Sequence, residues 1–313
     1  MRTSLFIFTA VVALGLGLLS PDALAATDAA RDTPWWVWPV ALFFACFALG
    51  IIAVPAGVGG GVLFVPIVAG FFPFHLDFVR GAGLLVALSG ALAAGPRLLS
   101  GGLASLRLGL PLALVASTSS IGGALLGLAL PASAIQVALG AAILGIVAVM
   151  TLVKNSELPR VEAPDRLSLA LGMHGIFRDG ATGQEHAWRV HRTPLGLVLF
   201  AGIGVLAGLF GLGAGWANLP VLNLVMGAPL KVSAGTSGLI LTLVDSSAAW
   251  IYLNQGAVLA IVAAPSVIGM MLGARIGARV LNVVKASVIR RLVLVLLAFS
   301  GARALAKGLG LWN

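Results

Sequence analysis

Apolar residues run almost unbroken through most of this chain, divided by a small punctuation of glycines, prolines and charges. A helix that spans a membrane needs about 20 mostly apolar residues. Eight stretches meet that requirement: Trp35 to Ala56, Val79 to Gly95, Leu106 to Leu130, Ala134 to Val153, Pro194 to Phe210, Ser233 to Leu253, Val258 to Ile276 and Val288 to Leu305. Between the first and second of each set of four lies a shorter apolar piece, Val62 to Phe74 and Trp216 to Met226, too short for a comfortable span.

Each short piece begins at a glycine motif, "GVGGGVLFVPIV" from Gly57 and "GLGAGWANLPVL" from Gly211. The offset is 211 − 57 = 154, and it carries other punctuation across without a gap. Gly57, Gly59, Gly61, Pro66, Leu76, Gly81, Gly102 and Pro111 fall on Gly211, Gly213, Gly215, Pro220, Leu230, Gly235, Gly256 and Pro265. The pattern predicts an all-α polytopic membrane protein built as a duplication. Its first membrane repeat is 35–153 and its second 194–309, each of about four long helices plus one broken short segment.

Charge relates the halves. Arg97 and Arg107 flank one short loop, Lys154 to Arg192 carry six basic residues, and Arg275 to Arg291 carry five. The loops at Ala129 to Ser133 and Asn254 to Gly256 carry none. Basic loops stay on the cytoplasmic side, so equivalent loops of the two halves face opposite sides. That is an inverted repeat, which requires the short segments to act as crossings or as penetrating broken helices. Arg303 and Lys307, near an external C-terminus, are the exception to the charge rule.

Composition agrees. Of 313 residues, 60% are hydrophobic and 9% charged, far outside the range of soluble globular chains. The basic balance, 19 Lys plus Arg against 10 Asp plus Glu, gathers at the ends of apolar runs, which argues against a nucleic-acid partner. The single cysteine, Cys46, lies within an apolar run and reads as a small buried hydrophobe. At the N-terminus, Arg2, the apolar run Leu5 to Leu19 and Ala23-Leu24-Ala25 read as a signal sequence, cut after Ala25 or kept as an extra helix. Trp35, Trp36 and Trp38 then mark an interfacial belt. Residues 154–193 form a cytoplasmic loop whose apolar alternation on both sides of Asp179-Gly180 predicts a small β-hairpin. His174, His186 and His191 within it match no common metal spacing and read as surface residues of the hairpin. No metal or cofactor is expected.

Gly-x-Gly-x-Gly in this context is neither a phosphate loop nor a dinucleotide fingerprint, since the following Lys and the βαβ unit are missing. Two readings remain. The glycines let helices pack closely, or, with Pro66 and Pro220, they break the helix so that free N-termini meet an anion inside a protein-lined cavity. The candidate substrate-binding residues are Gly57, Gly59, Gly61, Pro66, Gly211, Gly213, Gly215, Asn218 and Pro220, joined by the hydroxyls of Thr236 and Ser237. Such hydroxyls otherwise bond back to their own helix. Asp245 lies well inside a span, where a carboxylate is costly and commonly functional; it is either a proton-coupling group or a structural carboxyl bonded to Ser246, Ser247 or a neighbouring helix. Arg80 and Lys231 open the spans that follow the short segments, and read as interface anchors or as attractors of an anion.

Together, "GLFGLGAGWANLPVLNLVMGAPLKVSAGTS", "GVGGGVLFVP" and "IGMMLGARIGARV" resemble the TauE/SafE sulfite exporter family, also called the toluene sulfonate uptake permeases. The resemblance implies a secondary transporter of small anions such as sulfite or organosulfonates. The expected function is therefore proton-coupled export of a sulfur anion across the inner membrane, with a small anionic substrate and membrane lipid as partners and the oligomeric state left open. The alternative is a flippase for a lipid-linked phosphate, which would use the same helix-end site. An enzyme is not expected: Gly235-Thr236-Ser237-Gly238 offers a serine, but no histidine lies within a span to activate it.

Overall fold

The computed structural model describes residues 34–56, 59–100, 104–152, 158–178 apart from 160 and 162, 184–213, 215–280 and 286–311. The signal-like segment, Gly57 and the turn at Asp179-Gly180 lie outside the described residues. Helices form at every predicted span. In the first half these are α1 (Val37–Ala56), the short α2 (Gly60–Phe71), α3 (Leu76–Ser100), α4 (Leu106–Ala129) and α5 (Ala132–Leu152). The second half repeats the order with α7 (Thr193–Phe210), α8 (Gly215–Pro220) running into a π segment (Val221–Val225), α9 (Leu230–Asn254), α10 (Ala260–Val280) and α11 (Ala286–Gly308). Between the halves lie α6 (Arg166–Ala170), β1 (His174–Arg178) and β2 (Glu185–Arg189). Six of these helices are long and apolar enough to cross a membrane among the described residues.

The short segments start one or two residues earlier than their apolar runs suggest. Gly60 and Gly61 belong to the first turn of α2, and Gly215 opens α8. Neither Pro66 nor Pro220 prevents helix. Pro66 sits inside α2, while Pro220, which has no N–H for the carbonyl of Trp216, ends α8 where the wider π turn begins.

Packing follows the duplication. α1 lies along α10, and its counterpart α7 lies along α4. Glycines set both contacts: a Cβ at Gly50 would stand 2.7 Å from the carbonyl oxygen of Met270, and Gly204 meets Ala116 in the same way. The positions correspond, because 204 − 50 and 270 − 116 both equal 154. Backbone contact through small residues is how helices associate where lipid is as apolar as the side chains.

The inversion is visible where equivalent helices touch. At one end of the α3·α9 contact Arg80 stacks on Tyr252, and further along Ala87 and Asp245 both border Gly213, so the pair is antiparallel. α5 and α11 also run antiparallel, with Gly140 against Leu305 and Gly308 against Val137.

β1 and β2 form the predicted antiparallel hairpin, paired from His174↔Arg189 to Arg178↔Glu185. It is docked rather than free. Met173, Phe177, Trp188 and Val190 are buried in one cluster with Leu222 and Met226 of the π segment and its end. The backbone N–H of His191 donates to the carbonyl of Met226 at 2.9 Å.

Candidate functional site

The two glycine motifs meet each other. A Cβ at Gly61 would lie 2.6 Å from the carbonyl oxygen of Leu212, and one at Gly83 would lie 2.6 Å from that of Gly211. Only glycine permits backbones this close. Gly59 and Gly213, which correspond under the 154-residue shift, share a backbone state closed to most side chains, with φ of 78° and 73°. Gly59 caps the N-terminus of α2, and Gly213 stands just before α8.

One face of α9 runs past both. Leu241 Cδ1 lies 3.7 Å from the Cβ position of Gly59, and the two carboxylate oxygens of Asp245, one turn further on, lie 3.1 and 3.4 Å from that of Gly213. The methyl of Ala87 on α3 closes the other side of Gly213 at 3.1 Å.

Asp245 and Asn218 are both fully buried, and neither oxygen of the one nor either polar atom of the other has a hydrogen-bond partner. The two serines beside Asp245 do not reach it. Ser246 Oγ donates to Thr242 O at 2.6 Å and Ser247 Oγ to Leu243 O at 2.9 Å, each back to its own helix. Two polar side chains left unbonded in a membrane interior are expensive; at Asp245 the unbonded group faces a glycine loop.

The remaining predicted residues divide. Gly215 and Pro66 are buried, and Pro220 is half-buried at the π junction. Thr236 faces α4: its hydroxyl accepts the N–H of Ser105 at 3.1 Å, and its methyl carbon borders Gly109. Ser237 is buried on α9. One turn before Ser237, Ser233, which is not among the candidates, donates to the carbonyl of Ala228.

Arg80 is buried among helices rather than exposed as an interface anchor. It is 1% exposed, and its guanidinium donates to Leu209 O at 2.9 Å, to Gly127 O at 3.1 Å and to the Asp77 carboxylate. Leu209 and Gly127 lie in the last turns of α7 and α4, whose carbonyls lack helical partners and carry the negative end of the dipole. Tyr252, the chain's single tyrosine, lies 5.7 Å from the guanidinium carbon and donates to Gly208 O at 3.0 Å. Arg80 thus fixes the end of α7 from which the second glycine motif leaves. The positions corresponding to Asp77, Arg80 and Tyr252 in the other half are Lys231, Ala234 and Leu98, so only one motif is clamped in this way.

Among the described residues no group of three or more His, Cys, Asp or Glu side chains could hold a metal ion. A family model described as Sulfite exporter TauE/SafE matches residues 42–304, which takes in both halves and the insertion between them. No curated protein and no solved structure gives a significant match.

Proposed function

We propose that this chain, which belongs to the sulfite exporter TauE/SafE family, is a secondary transporter that exports a small sulfur-containing anion, sulfite or an organosulfonate, across the inner membrane in exchange for protons. The observation that carries this reading is the unpartnered Asp245 carboxyl facing the loop at Gly213. A buried carboxyl with nothing to bond is suited to gain and lose a proton as the cargo comes and goes. On this reading the backbone N–H groups of the glycine loops serve as anion donors, and Asn218, buried and unbonded on α8, adds an amide donor.

In this mechanism the anion enters between the two loops and takes its hydrogen bonds from backbone N–H groups and Asn218. Asp245 carries the proton in the opposite phase of the cycle. Alternating access follows from the inverted repeat, in which equivalent packings of the two halves open the site first to one side and then to the other.

Flux in proteoliposomes tests the proposal. The full chain is expected to move sulfite or methanesulfonate down an imposed pH gradient. Asp245→Asn, which keeps shape and hydrogen-bonding capacity, is expected to lose pH-driven flux at least tenfold while retaining anion exchange. Absence of movement of any sulfur anion by the wild-type chain overturns the transport reading; equal pH-driven flux in wild type and variant overturns the role of Asp245.

A further inference from the structure

Among the described residues the site has hydrogen-bonding groups but no positive side chain. Of the elements packed on α9, neither α7 nor α8 and its π segment contains a titratable residue. α4 contributes Arg107, exposed at its N-terminal end, and α3 contributes Asp77 and Arg80, bonded to each other, with Arg97 far along the helix and its side chain outside the described residues. α9 itself adds Lys231, exposed at its start, and Tyr252, bonded to α7. None of the charged groups named here bonds Asp245, whose carboxylate oxygens face Gly213.

We infer that the site selects singly charged oxyanions and rejects dianions. This deepens the transport reading and rests on it. The Born cost of dehydrating an ion grows with the square of its charge, so a dianion costs about four times as much as a monoanion to bring into the same cavity. Arg or Lys side chains commonly offset that cost where a doubly charged oxyanion is bound, and among the described residues the one guanidinium buried in this contact gives its two terminal nitrogens to two carbonyls and a carboxylate. On the transport reading, Asn218, buried and unbonded on α8 five residues beyond Gly213, and a protonated Asp245 supply N–H and O–H donors, enough to orient one negative charge spread over several oxygens. An ionised Asp245 beside a dianion would add like-charge repulsion with no cation to relieve it. The cargo class is therefore hydrogen sulfite and monosulfonates, with sulfate and thiosulfate excluded by charge rather than by size.

Calorimetric titration of the full wild-type chain in detergent tests this with four probes: methanesulfonate, sulfite at a pH acid enough to hold it as hydrogen sulfite, sulfate and thiosulfate. At least one of the two monoanions is expected to bind ten times more tightly than either dianion, and Gly213→Leu is expected to abolish that binding. A dianion that binds as tightly as the better monoanion overturns the charge selection and leaves the anion-transport reading standing. Failure of all four to bind overturns both. Tight monoanion binding that survives Gly213→Leu places the site elsewhere and overturns the assignment to these residues.

Discussion

Among the described residues Arg80 and Asp245 are the one base and the one acid buried in the α3·α9 contact, separated by seven residues of helix, or about 10 Å, and the fold treats them in opposite ways. Arg80 bonds two carbonyls and a carboxylate; Asp245 bonds nothing. Removing the first strands the ends of two helices and one carboxylate, so Arg80→Leu is expected to lower stability by about 3–5 kcal/mol, read from unfolding in detergent. The second glycine motif gives a sharper comparison. Gly213 has a positive φ and stands against Ala87 and Asp245, whereas no atom lies within 4 Å of a Cβ at Gly202. Gly213→Leu is expected to abolish anion binding and Gly202→Leu to leave affinity within about twofold, in variants of comparable yield. Asp245 stood out in the sequence because a carboxylate inside an apolar run is rare. The role of Arg80 did not, since two of its partners are backbone carbonyls, those of Leu209 and Gly127, that nothing in the local sequence marks. Nor did the direction of Thr236, which is set by where α4 begins.

At the scale of elements, spans were legible because unbroken apolar length is the one requirement a bilayer imposes. The starts of the short segments were not, because glycine at a helix terminus satisfies both close packing and capping. The insertion was legible as a hairpin, but its docking was hidden: the four side chains that bury it look like ordinary strand alternation. Trp188→Ala is expected to cost the insertion about 3 kcal/mol, and to slow transport by loosening the π segment through Leu222 and Met226. Hydrogen exchange across 184–191 together with flux checks this. Asp165 ties the insertion to α7 by capping α6 and accepting from Thr193 Oγ1 at 2.8 Å. Partial burial works to raise its carboxyl, but bonds from Thr193 and Ser168 outweigh that and hold it below its ordinary value. A depressed pKa in the folded state means these bonds contribute in full above the ordinary carboxylate value, about 3.9, and are lost as pH falls through the folded value. Exchange at 166–170 should therefore accelerate on acidification, and Asp165→Asn should flatten that acid limb.

For the whole molecule, the 154-residue shift predicted a duplication and the loop charges predicted its inversion; the antiparallel contacts α3·α9 and α5·α11 show both in three dimensions. Sequence could not show that the two motifs touch, because that contact joins Gly61 to Leu212 across the whole of four helices, α3, α4, α5 and α7, and the insertion. A reporter fused after Val153 is expected in the cytoplasm and one after Leu130 outside, with the reverse pattern contradicting the orientation read from charge. The most direct measurement of the central claim is an experimental structure of the full chain with methanesulfonate bound. The account predicts anion density at the junction of the two glycine motifs, between Gly213, Asp245 and Asn218. Density confined to the exposed ends near Lys231 or Arg107, with the junction closed by side chains alone, would contradict it.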